Sequence, residues 1–429
     1  MKYNICWLRR DLRLEDNTAL EAAMKSGNKI LLLFIFDKNI CDELDVNDSR
    51  INFIYKSLKG MDSHLKSMDC SGLLIKKGKP IEVLEELFQT YDIENLFFNE
   101  DFEPYGLERD SKASDLAASR GINTQKFTDH VIFRPGTVLK ADGSPYTIFT
   151  PFKKRWLQHF ESHEIKPEQA LLFDKFRHEI QTTFPSLEQL GFEASSIQAP
   201  DFAPENIVDY EETRDYPGLD KTTKIGPHLR FGTISIRKLI RERGKESEIY
   251  TSELIWREFF IQILYLFPKV VKDSFKSKYD RITWRNNKQE FDRWCKGETG
   301  IPLVDAGMRE LNQTGFMHNR VRMICASFLC KNLLIDWRLG EAYFASKLLD
   351  FELASNNGNW QWSAGTGCDS APYFRVFNPE TQQKRFDADQ KYIRRWIVDL
   401  DELTYPKPMV DLKTSRVRAI DTYKSSINS

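Results

Sequence analysis

The chain has 429 residues, more than one hydrophobic core usually serves, so two lobes are expected. Its 62 Lys and Arg stand against 63 Asp and Glu, a formal charge of -1, which excludes a polycation and leaves any anionic partner to a local basic patch. No stretch approaches the roughly 18 consecutive apolar residues of a membrane span, and charges come too early in MKYNICWLRRDLRLED for a secretory leader, so a soluble, intracellular protein is expected. The seven cysteines are scattered, odd in number and without a CxxC pair, which predicts reduced structural thiols with neither a zinc site nor a disulfide framework.

In chain order, short apolar runs at 3–7, 30–36, 73–75, 95–98 and 124–127 alternate with helix-period stretches such as 51–65 and 81–91. This alternation predicts an α/β domain over residues 1–130, a five-stranded parallel sheet of Rossmann-like type with helices on both faces. Pro80 suits a helix start and Gly121 the position just past a helix end. The first strand-to-helix loop carries WLRRDLRLEDNTAL, with neither GxGxxG nor GxxxxGK[ST], so no dinucleotide or P-loop site is signalled there. From 131 to 203 prolines and polar residues are frequent and one helical piece lies around 152–160, which reads as a connector over the surface. Residues 204–429 then show long helical periodicity, for example at 253–267, 304–311 and 319–334, and seven of the nine tryptophans lie at or after Trp256. An all-helical, aromatic-rich domain is the natural host for a large planar cofactor.

The stretch 353–374, LASNNGNWQWSAGTGCDSAPYF, reads as too irregular for an ordinary core element. Asn356 and Asn357 supply paired donors and acceptors, Gly358 permits close backbone approach, and Trp360 and Trp362 offer π-faces, a set suited to a planar, redox-capable ligand. A helix with its aromatics in the core is the alternative for this stretch alone. Together with the preceding TGFMHNRVRMICASFLCKNLLIDWRLGEAYFASKLLDFE, it resembles the flavin-binding core of the DNA photolyase/cryptochrome family. The likeness spans nearly the whole chain, is sharpest from 253 to 386, and is nearest to the class I cyclobutane pyrimidine dimer photolyases.

The resemblance implies non-covalent FAD in the helical domain and assigns residues to it. Tyr210 and the run KTTKIGPHLRFG match the flavin phosphate region, with Thr222, Thr223, Lys224, Ile225 and Gly226 as cofactor positions. A serine is common in the family where Gly226 stands, so one hydroxyl is missing, worth ~1 kcal/mol if it bonded phosphate. In TSELIWREFF, Glu253 and Trp256 are three apart and share a helical face, and the matching residues hydrogen-bond and pack against a pyrimidine dimer. Arg257 follows as a contact to the cofactor or a phosphate. In HNRVRM, Asn319 and Met323 share a face toward the lesion, and Arg322 pairs with Asp350 over the flavin's redox ring. Glu352 is a further cofactor position, where relatives often carry the shorter Asp.

Asn356 matches the residue facing flavin N5, where plant cryptochromes tend to place Asp and animal ones Cys; Asn favours repair over signalling. Trp360, Trp337 and Trp284 match the inner, middle and outer members of the family's electron-transfer chain. Arg214, Arg320, Trp362, Arg375 and Gln382 join Glu253, Trp256 and Asn319 as DNA contacts, and Lys153, Lys154 and Arg155 extend the basic character. Relatives acting on the (6-4) lesion carry a histidine pair where this chain has His318 followed by Asn319, so cyclobutane dimers are favoured. The DASH-type branch matches less well around the NWQW and WRE segments.

The expected function is light-driven repair of cyclobutane pyrimidine dimers by a lyase that uses excited reduced FAD, with the lesion extruded from the duplex and binding sensitive to salt. The alternative is a cryptochrome-like photosensor that binds FAD without repair; such sensors often carry long C-terminal extensions, whereas this chain ends about 30 residues after Trp396. A flavin-binding helical protein with dark redox activity is a third reading. The family often holds an antenna chromophore, methenyltetrahydrofolate, a deazaflavin or a second flavin, and residues 99–105 leave that choice open. A cytoplasmic monomer is expected, associated with the nucleoid in a bacterium, with no metal and no membrane contact.

Overall fold

The structure is a computed structural model that describes residues 1–163, 165, 169–180 and 182–428. The five apolar runs are strands: β1 (Tyr3–Leu8), β2 (Lys29–Asp37), β3 (Leu74–Gly78), β4 (Ile93–Asn99) and β5 (Asn123–Phe127). They form one parallel sheet in the order β3-β2-β1-β4-β5, with Ile5 of β1 opposite Leu31 of β2 on one side and Leu96 of β4 on the other. Side chains alternate between two cores, as a period of two requires. Cys6, Leu8, Leu32, Phe34 and Phe97 pack with the helices Thr18–Lys25 and Ser49–Ser67. Ile5, Trp7, Leu33, Leu96 and Phe98 pack with Pro80–Thr90 and Pro104–Ser119. Burial on both faces explains why β2 reads KILLLFIFD without a polar alternation. Pro80 opens its helix, and Gly121 adopts a left-handed φ of 71° just past the end of the next one.

Two compact units emerge, and neither is contiguous in sequence. One comprises Met1–Thr137, Ser162–Pro200 and Ile225–Gly244; the other comprises Val138–Glu161, Asp201–Lys224 and Lys245–Ser429. The units therefore part elsewhere than at 130 and 204. Nor is the stretch 131–203 merely draped over the surface. Phe176, Leu190 and Phe192 enter the first unit's core beside Leu32 and Phe36, while Phe149, Phe152 and Trp156 are buried in the second. These anchors stand singly among prolines and polar residues, so they leave no periodic signature although each buries a large apolar surface. The expected helical piece is the helix Phe149–Glu161.

The second unit is built from helices that include Glu248–Leu266, Pro302–Thr314, Asn319–Ser327, Trp337–Lys347 and Leu353–Ala364. Trp294, Val304, Met308, Leu329, Phe344 and Trp360 belong to its main core. The LASNNGNWQWSA stretch is thus a regular helix and not the irregular segment its amides and glycine suggest. It ends at Gly365, whose φ of 86° supplies the left-handed cap. Among the described residues no helix is long and apolar enough to cross a membrane, and no cluster of three His, Cys, Asp or Glu could hold a metal. All seven cysteines are free thiols.

Candidate functional site

The helix Leu353–Ala364 is the hub of the second unit, packed against Glu248–Leu266, Asn319–Ser327 and Trp337–Lys347. Buried amides would cost helix stability unless paired, and here tertiary partners supply the pairing. Asn357 donates to Val270 O at 3.0 Å, and Gln361, one turn on, donates to Val270 O and to Asp273 O at 3.2 Å. Asn357 therefore secures the loop after Leu266 and does not share a ligand face with its neighbour. Asn356 turns the other way: its Nδ2 donates to the backbone carbonyl of Glu341 at 3.1 Å and to that residue's Oε1 at 2.9 Å. A backbone carbonyl only accepts, so the amide orientation is fixed: Nδ2 is the atom on Glu341, and Oδ1 is the remaining acceptor. Burial pushes the Glu341 carboxyl upward, with the Asn356 hydrogen bond opposing.

Gly358 does not bring backbone to a ligand. A Cβ there would lie 2.1 Å from the Phe260 ring, so the glycine admits a neighbouring aromatic.

Two ion pairs flank this hub. Arg322 grips Asp350 through both nitrogens, at 3.2 and 2.9 Å, while its Nε donates to Met317 O at 2.7 Å. Arg322 and Asp350 are thus paired as the resemblance implies, on side chains 24% and 14% exposed. Arg257 Nη2 donates to Glu352 Oε1 at 2.8 Å, and Ser355 Oγ donates to Glu352 Oε2 at 2.8 Å. Both residues were expected singly as cofactor contacts; they are partners in a more buried pair, and the longer Glu spans the distance.

In the phosphate region, Asn206 donates to Thr222 O at 3.1 Å, and the Tyr250 hydroxyl donates to Thr223 Oγ1 at 3.5 Å. Lys224 has a left-handed φ of 56°, reaches Asp220 at 2.7 Å and lies over the Phe316 ring at 4.0 Å. The Thr222 hydroxyl is buried without a partner, as suits an oxygen-rich ligand. Tyr210 meets Tyr250 edge-on at 5.1 Å. Ile225 and Gly226 fall in the first unit, where Gly226 opens the helix Gly226–Phe231.

On the helix Glu248–Leu266, Glu253 and Trp256 are both half-buried and one turn apart. Arg214 Nη1 donates to Glu253 Oε1 at 2.7 Å, and Trp256 stacks on Phe149. Asn319 is exposed and Met323 half-buried, four apart on the helix Asn319–Ser327. Arg320 pairs with Asp215 at 2.5 Å and lies over the Phe386 ring at 4.2 Å. Arg375 is exposed over Phe377, on which Trp362 also stacks, and Gln382 Oε1 is buried without a partner. Trp360 and Trp337 lie in the main core, with the half-buried Trp284 packed against it.

His318, named from the sequence only beside Asn319, is buried in the structure. It caps its helix by accepting the Arg320 N–H on Nδ1 at 3.2 Å, so Nε2 carries the ring proton, and that donor is buried without a partner. Its burial, reinforced by Lys224, Arg320 and Arg322, lowers the ring to about 3. The unfolded chain takes up a proton below about 6.5 that the folded ring refuses, so stability falls as pH drops from there toward 3. His318→Asn keeps an N-cap acceptor and removes the titration. Between pH 7 and 5 the wild type should lose about 2 kcal/mol more unfolding free energy than the variant in urea melts. Equal losses would assign the acid sensitivity to other groups.

In the first unit, WLRRDLRLED supplies an ion-pair network at the carboxyl ends of β1 and β4. Arg9 pairs with Asp110, Arg10 with Asp101 at 3.2 Å, and Arg13 with Asp129 at 2.6 Å. Burial would raise the Asp129 carboxyl, but Arg13 and Arg237 more than offset it and hold it well below the usual range. The crevice left there, lined by Arg9, Asn99, Asp101 and His130, measures about 10 Å³, room for about one water.

The chain thus has a parallel α/β unit and a helical unit whose hub carries Asn356 on Glu341, with the Arg322–Asp350 pair beside it and Trp337 and Trp360 in its core. Residues 4–170 match the family model described as DNA photolyase, and residues 250–404 match the FAD binding domain of DNA photolyase. The deoxyribodipyrimidine photo-lyase of Vibrio cholerae is 34% identical over 98% of this chain and 99% of its own length. A class III photolyase from Agrobacterium tumefaciens superposes with a TM-score of 0.89 at 29% identity, covering 100% of this chain and 98% of that one. A photolyase from Sulfolobus tokodaii, solved with two FAD molecules, gives 0.86 at 32% identity over 99% and 100%. The chain belongs to the DNA photolyase family.

Proposed function

We propose that this chain is a deoxyribodipyrimidine photo-lyase that binds DNA carrying cyclobutane pyrimidine dimers and reverses them in light, acting as a cytoplasmic monomer. The observation that carries the reading is the placement of Glu253 and Trp256, partly exposed and one turn apart, on the helix that packs against the Asn356 helix. FAD, reduced and light-excited, would supply the electron that splits the two inter-base bonds of the dimer and would recover it, with no net redox change. Arg322 and Asp350 would hold its redox ring, Thr222, Thr223 and Lys224 would meet its phosphates, and Asn356 Oδ1 would accept a hydrogen bond from it. The Glu341 pair holds that amide in place.

Trp256 packs against the extruded lesion. Glu253, oriented by Arg214, contacts its carbonyl edge where negative charge develops. Asn319 and Met323 line the same side, while Arg320, Trp362, Arg375 and Gln382 meet the DNA. Trp360, Trp337 and Trp284 relay electrons from the surface.

The test is repair of a thymine-dimer oligonucleotide by purified, reduced protein under blue light, beside a dark control. Loss of dimer only in light is expected; no repair by FAD-loaded protein would overturn the reading. Glu253→Ala should cut repair yield by roughly threefold or more with FAD content retained, because one charge-assisted contact is lost. Undiminished repair by that variant would remove Glu253 from the mechanism.

A further inference from the structure

Phe149 lies parallel to Trp256, with ring centroids 3.6 Å apart and planes 9° apart. Phe260 follows at 5.4 Å and 30°, and Phe259 meets Trp256 edge-on at 5.5 Å. Phe260 in turn occupies the space over Gly358. A row of rings thus runs from the start of the helix Phe149–Glu161 to the Asn356 helix. Phe149 is itself fixed: its ring is buried against the edge of Phe259 at 5.9 Å, and its backbone N–H donates to Asp369 Oδ2 at 2.8 Å. Asp369 stands in the segment that leads to the exposed Arg375.

A half-exposed indole on a helix surface is free to change rotamer, and ordering it on binding costs affinity. A parallel ring at van der Waals distance removes that freedom beforehand. We propose that Phe149 is a positioning residue for the lesion. It holds Trp256 in the orientation that packs against an extruded pyrimidine dimer, and so sets the preference for damaged over undamaged DNA. The proposal rests on the reading of Trp256 as the dimer-packing residue.

The test is equilibrium binding of a thymine-dimer oligonucleotide and its undamaged twin to the FAD-loaded full chain, in the dark. The proteins compared are wild type, F149L, F149Y, W256A and F149L/W256A. F149L should bind the damaged strand about five- to tenfold less tightly, the worth of one aromatic pair, with the undamaged strand unaffected and F149Y restoring the wild-type ratio. W256A should lose about tenfold or more. Because Phe149 acts through Trp256, adding F149L to W256A should change affinity less than about twofold.

A full F149L effect in the W256A background, or equal weakening of both strands, would reduce Phe149 to general packing and overturn the proposal. Loss of preference in W256A with preference kept in F149L would overturn the proposal alone. Preference kept in W256A would overturn the reading of Trp256 and the proposal with it. Where F149L fails to hold FAD, Phe149→Met keeps more of the buried volume and answers the same comparison.

Discussion

Arg322→Ala is expected to yield a folded protein that purifies largely without FAD. Arg322 is held at three points, by two contacts to Asp350 and one to Met317 O, which fix the orientation of its guanidinium. Removing it leaves the Asp350 carboxylate, 14% exposed, without its partner. A fully buried pair broken in this way costs about 3 to 5 kcal/mol. The Arg322 side chain is 24% exposed, so water screens part of that, and the lower end of the range is expected. A share of only about 1.4 kcal/mol falling on the FAD complex is already tenfold in affinity. Arg322→Lys should fall between, since a point charge cannot reproduce the two-nitrogen grip. The double variant with Asp350→Ala should lose less than the two single effects combined, because it leaves no lone charge. Flavin absorbance relative to protein, followed by titration with FAD, reads all three. Stoichiometric FAD in Arg322→Ala would remove the clamp from the account.

The second large effect is expected at Trp360. Its ring lies 4.9 Å from Phe344 and 6.1 Å from Trp294, both edge-on, and Gly340 leaves the room its far edge needs. Trp360→Phe should slow light-driven reduction of the bound, oxidised flavin by an order of magnitude or more while chemically reduced protein still repairs dimers. It should also cost about 1 to 2 kcal/mol of stability, since a smaller ring leaves unfilled space in a close-packed core. Trp284, half-buried at the other end of the series, should give a partial loss when changed to Phe. Transient absorption after a light pulse separates the two outcomes: unchanged photoreduction in Trp360→Phe would make these tryptophans packing residues only.

Much of this was legible in the sequence where the signal is local. The strands were readable because β-branched and aromatic runs between helix-period stretches have one economical arrangement, and Pro80 and Gly121 mark helix ends by fixed backbone preferences. The pairing of Arg322 with Asp350 came from a motif match and is present in the structure. The helical state of 353–364 was hidden because Asn, Gly and Ser are poor helix formers, and the carbonyls of Val270 and Asp273 that satisfy its amides come from a distant loop. The core role of Phe176, Leu190 and Phe192 was hidden for the converse reason, isolated apolar residues without a period.

By itself, then, the sequence determined the parallel sheet, the helical lobe, the family and the identity of most chemically capable residues, because periodicity and motif are properties of neighbours along the chain. Only the tertiary structure decided partners. It divided Asn356 from Asn357, joined Arg257 to Glu352, seated Phe149 on Trp256, and turned WLRRDLRLED into an ion-pair network. A polar or aromatic side chain takes its partner from whatever the packed helices and strands bring within a few ångströms, and these partners mostly come from remote parts of the chain.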